Sequence, residues 1–397
     1  MAAIDLARVR HDTPGVAHVT HFNNAGSSLP PRPVLDAQTD HLWLEARTGG
    51  YEAAAIRADE LGRFYDVAAA LVGGRSDQIA FTDSATRAWD VAFYGVPLAA
   101  GDRILVSKSE YASNVIAMLQ VAARTGATIE VIPDDEHGQV DVEALVGLLD
   151  ERVKLVTVVH VPTQGGLVNP VAEVGAALQG SDALFLLDAC QSVGQLPVDV
   201  AAIGCDVLCA TGRKFLRGPR GTGFLWVSDR ARDRIEPPVL DLFSAAWTDE
   251  RRYEVRPDAR RYELWETGLA AKLGLVAALD YALDIGLEAI EARVVDLAAR
   301  LRARLEALHG VEVHDLGRRR CGIVTFTIEG WASPDVGQAL RERQINTSVT
   351  SVTGARWDLA DRGLDQMVRA SVHYFNTDQE LDRLVDAVAA LSVRPGR

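Results

Sequence analysis

From about residue 77 onward, short and nearly continuous apolar runs alternate with stretches in which apolar residues recur at helical spacing. The apolar runs are rich in β-branched residues and predict strands. Seven such runs are present: Gln78–Thr82, Arg103–Ser107, Thr128–Ile132, Leu155–His160, Leu184–Asp188, Val207–Ala210 and Gly223–Val227. The stretches between them predict helices, for example Thr86–Tyr94, Asn114–Thr125, Val142–Leu149 and Pro170–Leu178. The pattern therefore predicts an α/β fold with a seven-stranded, mostly parallel sheet covered by helices.

The pattern changes after about Ala282, where strands and helices follow one another in a mixed order. The predicted elements are a helix over Gly286–Leu308, strands over Val311–Asp315 and Gly322–Ile328, a helix over Pro334–Gln344, a strand over Met367–His373 and a last helix over Asp378–Leu391. This order is typical of a smaller α+β domain. We therefore predict an N-terminal arm (1–20), a large domain (21–282) and a small C-terminal domain (283–397).

Composition and charge exclude several classes of function. The chain has 397 residues and a formal net charge of −14, and its densest basic run is Arg318-Arg319-Arg320, which argues against nucleic-acid binding. No apolar stretch has the length of a membrane span, and Met1–Arg10 has no apolar signal-peptide core. The cysteines lie mostly in apolar segments without CxxC spacing: Cys190, Cys205, Cys209 and Cys321. We expect buried thiols in a cytoplasmic protein, with no disulfide and no metal site.

Polar residues follow several of the predicted strands. In an open α/β sheet, ligands bind beyond the carboxyl ends of the strands, so these residues are candidates for function. The candidate groups are Ser84-Ala85-Thr86, Glu110-Tyr111, Thr163-Gln164, Asp188 with Gln191, and the run from Thr211 to Lys214.

Lys214 lies just after an apolar strand, in a glycine-rich connection to the next strand. Most lysines in such loops are solvated. In a closed site near Arg213, however, a lysine has a lowered pKa and acts as an amine nucleophile or forms a Schiff base.

Asp188 ends another apolar strand, where an unpaired aspartate is costly to bury. It is either the N-cap of a helix or the partner of a protonated pyridine nitrogen, as pyridoxal phosphate sites require. Ser84-Ala85-Thr86 similarly offers either an N-cap or backbone N–H groups for a phosphate. No GxGxxG or GxxxxGK[ST] motif is present, which argues against a nicotinamide dehydrogenase or a nucleotide triphosphatase.

These segments resemble, in order and spacing, the class V branch of fold-type I pyridoxal phosphate enzymes, which includes cysteine desulfurases, selenocysteine lyases and isopenicillin N epimerase. The resemblance extends from Asn23-Asn24-Ala25-Gly26 to Tyr374-Phe375-Asn376-Thr377. It depends most on the combination of Asp188-x-x-Gln191 with Thr211-Gly212-x-Lys214. It implies an enzyme whose cofactor is pyridoxal 5′-phosphate and whose substrate is a small amino acid.

The resemblance also assigns roles around the cofactor ring. Lys214 matches the Schiff-base lysine, Asp188 the partner of the pyridine nitrogen and Gln191 the donor to the phenolic oxygen. Tyr111 stands where relatives have a histidine stacked on the ring, and Thr163 stands where many have an asparagine. We group Lys214, Asp188 and Tyr111 as the catalytic residues.

Other matches concern the phosphate and the substrate. The phosphate contacts of the family correspond here to Thr86 with its neighbours Ser84 and Ala85, and to Thr211 and Arg213. Arg213 replaces the histidine that is usual at its position. Trp265-Glu266-Thr267 matches a segment donated to the neighbouring subunit's phosphate site, so we expect a homodimer with composite sites. Arg369 matches the arginine that binds the substrate carboxylate. Asn24-Ala25-Gly26 matches a loop that closes over the substrate.

The segment Ile345–Thr353 departs from the pattern of the desulfurases. Relatives that form a persulfide carry a cysteine in this loop, and here it holds only threonine, serine, valine, asparagine and isoleucine. We therefore predict a C–S β-lyase that acts on cysteine, cystine or a cysteine S-conjugate without a protein thiol. Aminotransferase, epimerase and decarboxylating activities stay open as alternatives, as does a protein with this fold that only binds ligands.

Overall fold

The computed structural model describes residues 4–393 and shows the α/β architecture that the sequence predicts. The helices are α1 (Leu6–His11), α2 (Arg32–Thr48), α3 (Gly50–Ile56), α4 (Ala58–Val72), α5 (Ala85–Phe93), α6 (Ala112–Thr125), α7 (Val142–Leu148), α8 (Val171–Ala177), α9 (Val200–Ile203), α10 (Asp229–Arg232), α11 (Leu269–Ile285), α12 (Leu287–Glu306), α13 (Ser333–Glu342), α14 (Arg356–Asp361) and α15 (Asp378–Ser392). Short 3₁₀ turns cover Pro14–Ala17, Ser76–Gln78 and Ala259–Tyr262. None of the helices in the described part of the chain is long and apolar enough to cross a membrane.

The strands form one large sheet, one small sheet and two strand pairs. They are β1 (Thr20–His21), β2 (Ile79–Thr82), β3 (Arg103–Ser107), β4 (Thr128–Ile132), β5 (Val153–Val159), β6 (Leu184–Asp188), β7 (Val207–Thr211), β8 (Gly223–Val227), β9 (Ala245–Asp249), β10 (Arg252–Val255), β11 (Val311–Val313), β12 (Ile323–Ile328), β13 (Ile345–Asn346), β14 (Ser348–Ser351) and β15 (Gln366–Ser371).

The large sheet has seven strands in the order β2-β8-β7-β6-β5-β3-β4. Only β8 runs antiparallel to its neighbours, so the prediction of a mostly parallel sheet is confirmed. Side chains alternate between the faces of a strand. In β6, Phe185 and Leu187 accordingly join the hydrophobic cluster on one face, and Leu184 and Leu186 join the cluster on the other. Burial on both faces explains why these strands are continuously apolar.

The parallel register brings the carboxyl ends of the central strands together. Asp188 at the end of β6 pairs with Val159 of β5 on one side and with Cys209 of β7 on the other. The chain therefore leaves β5, β6 and β7 at one edge of the sheet, which is where the sequence predicts a ligand site.

The small sheet has the order β11-β12-β15-β14 and is antiparallel throughout. The segment 345–353, which the sequence analysis treats as a loop, is for the most part the strands β13 and β14, so that assignment is wrong. Ser348–Ser351 pairs with Gln366–Arg369, and alternating serine, valine and threonine suit a partly exposed edge strand. Pairing with residues distant in the chain decided this, and the local pattern did not show it.

The N-terminal segment and the predicted domain boundary are linked to the small sheet. Strand β1 pairs in parallel with β13, and Asn23 bridges to Ser371. Helix α11 continues past residue 282 to Ile285 and ends at Gly286, whose φ of 90° favours glycine. The division into an arm, a large domain and a small domain stays a prediction.

Candidate active site

A cavity of about 430 Å³ lies at the carboxyl ends of β5, β6 and β7, beside the start of α5 and the strand β15. It is lined by all but three of the residues that were assigned to the site from the sequence. The lining includes Ala25, Gly26, Ser84, Ala85, Thr86, Tyr111, Thr163, Asp188, Gln191, Thr211, Arg213, Lys214 and Arg369.

Three assigned residues lie outside the lining of the cavity. Asn24 is fully buried; its amide donates to the Ser371 carbonyl at 2.7 Å, and its side-chain oxygen accepts from the Ser28 hydroxyl. Both ends of the side chain are thus used in packing the loop, and its role as a substrate contact stays a prediction. Trp265 is mostly exposed, and Thr267 lines a separate depression beside Phe81.

Lys214 reaches the cavity from the loop after β7. The loop is held by a hydrogen bond from the Gly218 N–H to the Gly212 carbonyl (2.7 Å) and by one from the Arg217 N–H to the Lys214 carbonyl (2.9 Å). Burial lowers the pKa of Lys214, and the nearby charge of Arg213 lowers it further. The lysine salt bridges found in the described part of the chain involve Lys108 and Lys272, and not Lys214. A lysine in this state supplies a neutral amine more readily than a solvated one.

Arg217, which is not among the residues predicted from the sequence, anchors the same loop. Its buried guanidinium donates to the Tyr374 hydroxyl (2.7 Å), the Leu29 carbonyl (2.9 Å) and the Thr13 hydroxyl. Its φ of 62° lies in the left-handed region, which is unusual for a residue with a side chain. The loop that carries Lys214 is therefore tied to both ends of the chain.

Asp188 is buried at the end of β6. One of its carboxylate oxygens accepts from the Cys190 N–H at 2.9 Å, and the other accepts from the Asn114 amide at 3.1 Å. No helix begins directly after Asp188, since the following residues form turns, so the N-cap alternative does not apply. In the described chain the carboxylate has no ion pair, which leaves it available to a cationic ring nitrogen.

Asn114 and Glu110 extend this contact behind the cavity wall. The Asn114 amide donates to both Asp188 and Glu110, at 3.1 and 2.8 Å. Glu110 also accepts from the Tyr111 N–H at 2.8 Å. Burial raises the pKa of Glu110 to about 8, and the charge of Asp188 adds to the shift. Glu110 follows a predicted strand but had no predicted role, and Asn114 had none either. Their separation of four residues is the signal that would have linked them.

Arg369 enters the cavity from β15 and is almost fully buried. One terminal nitrogen, Nη1, donates to the Thr163 carbonyl (2.8 Å) and hydroxyl (2.7 Å); the other, Nη2, lies 3.3 Å from the Ser348 hydroxyl. The Nε–H has no partner among the described residues. Burial lowers the pKa of Arg369 to about 10, so it still carries a charge at neutral pH. The Nε–H and the second hydrogen of Nη2 are therefore left to bind a carboxylate at two points.

The start of α5 forms the far end of the cavity. Ser84 caps this helix, since its hydroxyl accepts from the Arg87 N–H at 3.1 Å. The capping role that the sequence allowed for this segment is therefore present. The first N–H groups of a helix have no partner within it and are suited to an anion. Strand β8 packs closely on this end, because an added Cβ at Gly223 would lie 2.8 Å from the Ser84 backbone. Arg213 and Arg220 line the same cavity and bring positive charge to it.

These residues fit pyridoxal phosphate on two observations of the structure. The cavity joins an amine with a lowered pKa, a buried carboxylate without a cation and the first N–H groups of α5, which suit an anion. The Gln191 amide oxygen is also buried without a partner, while its NH₂ group donates to the Ala25 carbonyl (3.1 Å) and lies 3.3 Å from the Thr163 hydroxyl. Lys214, Asp188, Gln191 and the start of α5 would hold the cofactor.

The cysteines differ in their placement. Cys205, Cys209 and Cys321 are buried, as expected, and burial raises their pKa values. Cys190 lines the cavity, which corrects the expectation that it is inert packing; two residues after Asp188, it faces the ligand space. Its pKa is also raised, so it is not an activated thiolate. Ligand atoms of Asp188, Cys190 and Cys209 lie within 4.8 Å of one another, but protonated thiols are poor metal ligands.

Comparison with known proteins gives a consistent result. The family model described as Aminotransferase class-V matches residues 20–384. A probable cysteine desulfurase of Methanothermobacter thermautotrophicus is 30% identical over 390 residues, which cover 97% of each chain. One of Xylella fastidiosa is 29% identical over 401 residues, which cover 97% of this chain and 95% of that one.

Solved structures show the same similarity. A cysteine desulfurase from Thermococcus onnurineus superposes with a TM-score of 0.92 at 26% identity, over 99% of each chain. A cystine C–S lyase, solved with its product cysteine persulfide, gives a TM-score of 0.86 at 24% identity, over 95% of this chain and 99% of that one. The second likeness concerns the fold alone.

Proposed function

The chain belongs to the aminotransferase class-V family, and from that premise we propose that it is a pyridoxal phosphate-dependent C–S lyase. The proposed substrates are cysteine, cystine and cysteine S-conjugates, from which sulfur leaves the β-carbon. The names of the Methanothermobacter and Xylella relatives support cleavage of a carbon–sulfur bond. The observation that carries the proposal is the buried Arg369, with a free edge for a carboxylate, in the same cavity as the amine of Lys214.

Arg369 orients the substrate. Its Nε–Nη2 edge binds the α-carboxylate, while Thr163 fixes the other terminal nitrogen by two hydrogen bonds. Because the guanidinium is held before substrate arrives, little side-chain entropy is lost on binding. Lys214 lines the same cavity, so its amine borders the space in which this contact holds the substrate.

Lys214 is the proton carrier in this proposal. When bound, pyridoxal phosphate supplies an electron sink for the charge that develops at the α-carbon. Lys214 would hold the cofactor through its amine, and the same amine, with its lowered pKa, would take the α-proton of the substrate. Asp188 would hold a proton at the ring nitrogen, and Asn114 fixes the carboxylate by its 3.1 Å hydrogen bond.

The sulfur leaves with the electron pair of the Cβ–S bond and takes up a proton. Hydrolysis of the remaining fragment with one water gives pyruvate and ammonium, so each substrate yields one thiol, one pyruvate and one ammonium. With cystine the thiol product is cysteine persulfide. No protein thiol enters this balance, and the segment 345–353 holds none.

A homodimer completes the proposal. Large apolar side chains are exposed on the hairpin β9–β10 and near it, among them Leu242, Trp247, Tyr253 and Trp265, with Trp247 74% exposed. Exposed clusters of this kind favour a protein partner. Trp265 and Thr267 lie outside the cavity of the chain that carries them. We therefore propose that the partner covering these exposed side chains is a second copy of this chain.

A product assay tests the reaction. Purified protein is incubated with cysteine, cystine and an S-alkyl cysteine, and pyruvate, alanine and thiol are measured together. We expect pyruvate and thiol in equal amounts, and the same rate per folded molecule when all four cysteines are replaced by serine or alanine.

Other outcomes of this assay would indicate one of the alternative functions. Alanine in place of pyruvate, together with loss of turnover in Cys190→Ser while the cofactor stays bound, would indicate a desulfurase that uses the thiol in the cavity. Amino transfer to a keto acid would indicate an aminotransferase, and inversion at the α-carbon without thiol release an epimerase. Protein that lacks all turnover but binds the cofactor would indicate a binding protein.

A further inference from the structure

The contact between Glu110, Asn114 and Asp188 places two carboxyl groups behind the cavity with one amide between them. Both Asn114 N–H groups are used, one on each carboxyl, at 2.8 and 3.1 Å. The three side chains are each at most 6% exposed. Water therefore contributes little screening between the two acids.

We propose that Glu110 is a positioning residue whose carboxyl stays protonated at neutral pH and, through Asn114, holds the carboxyl of Asp188 at the cavity wall. The inference concerns residues of the chain itself; its meaning for the cofactor rests on the proposed function.

The surroundings of Glu110 support this protonation state. The ionisable groups that face it are Asp188 at the end of β6 and the thiol of Cys209 on β7, and no basic side chain in the described chain compensates it. The charge of Asp188 raises the pKa of Lys214, so this acid interacts with a basic group of the cavity. Two buried acids that share a site do not both ionise readily, and Glu110 has no basic group of its own in the described chain.

The hydrogen bonds of Glu110 agree with a neutral acid. Oε1 accepts from the Tyr111 N–H and from Asn114, both at 2.8 Å, while Oε2 is buried with no partner in the described structure. A bare carboxylate oxygen without any donor is more costly to bury than a neutral carboxyl. Through Asn114, this neutral acid fixes the second oxygen of Asp188, and through Tyr111 it fixes the start of α6.

The pH dependence of stability tests the proposal on protein without cofactor. Because folding raises the pKa of Glu110 from 4.5 to about 8, the folded state binds more protons in this range, and stability falls as pH rises through it. Glu110→Gln imitates the protonated acid and removes this loss. We expect the melting temperature of Glu110→Gln, relative to the unmodified protein, to rise steadily between these two pH values and to level off above them.

Glu173→Gln is the matched control, since Glu173 is exposed in the first turn of α8. Its melting temperature should differ from the unmodified protein by the same amount at each pH. If the Glu110→Gln difference is equally constant, Glu110 ionises normally and the proposal fails. These measurements need no turnover, so they stand apart from the proposed reaction.

Two further variants keep the test decisive. In Asp188→Asn the repulsion is gone, so the pH range in which stability falls should end at a lower pH; an unchanged range would overturn the proposal even if Glu110→Gln does not fold. For positioning, Glu110→Gln should keep the cofactor affinity of the unmodified protein, whereas Glu110→Ala should weaken it tenfold or more. Equal loss in both would show that the negative charge is required, and the proposal would fail.

Discussion

Replacement of Arg369 by alanine tests the central contact of the proposed site. The free Nε–Nη2 edge makes two charge-assisted hydrogen bonds with a substrate carboxylate, each worth about 1.5–3 kcal/mol. Their loss raises the barrier by about 3–6 kcal/mol, which lowers kcat/KM by about 10² to 10⁴. Arg369→Lys keeps the charge but offers one contact, so its loss should be about 10- to 100-fold.

The assay measures pyruvate from an S-alkyl cysteine and from the corresponding amide, which has no carboxylate. Arg369→Ala should lower kcat/KM strongly for the acid and little for the amide. The variant should fold, because Arg369 has no acidic partner in the described structure that its removal would leave unpaired. Arg341→Lys, an exposed position at the end of α13, is the control and should be unchanged. Equal losses for acid and amide would refute carboxylate binding and indicate a packing role for Arg369.

Three further outcomes follow from the site. Borohydride reduction of the cofactor-loaded protein should place the adduct on Lys214 by peptide mapping, and an adduct on another lysine would refute the assignment. Asp188→Asn should still bind cofactor but lose most turnover, since an uncharged ring nitrogen is a poorer electron sink; near-normal turnover would make Asp188 structural. Light scattering should give twice the chain mass, and Trp265→Ser should weaken the dimer and the affinity for cofactor together; a fully active monomer would contradict the composite site.

The large sheet was predictable from the sequence because its strands are buried on both faces. Predicted and observed bounds agree for β3, β4, β6 and β8, and the others differ by one to three residues. A continuous apolar run between helices has few other uses in a protein of this length. Helices α2 to α4 and the hairpin β9–β10 were not predicted, since their exposed apolar residues obscure the periodicity.

The ends of these strands also located Lys214 and Asp188. Parallel strands place their carboxyl ends at one edge, so residues that follow different strands meet there whatever their separation in the chain. The resemblance to the class V enzymes added Arg369, which lies in another sheet and which strand order alone does not bring to this cavity.

Only the tertiary structure decided how the polar groups are paired. The local sequence does not show that segment 345–353 pairs with β15 or that Cys190 faces the cavity. It also does not show that the Asn24 side chain is hydrogen-bonded to Ser371 and Ser28. The same holds for the link from Glu110 through Asn114 to Asp188, which spans 78 residues of sequence but lies within two hydrogen bonds. Apolar burial depends mainly on residue type and is legible in the pattern, whereas the charge and partners of a buried polar group depend on which side chains fold beside it.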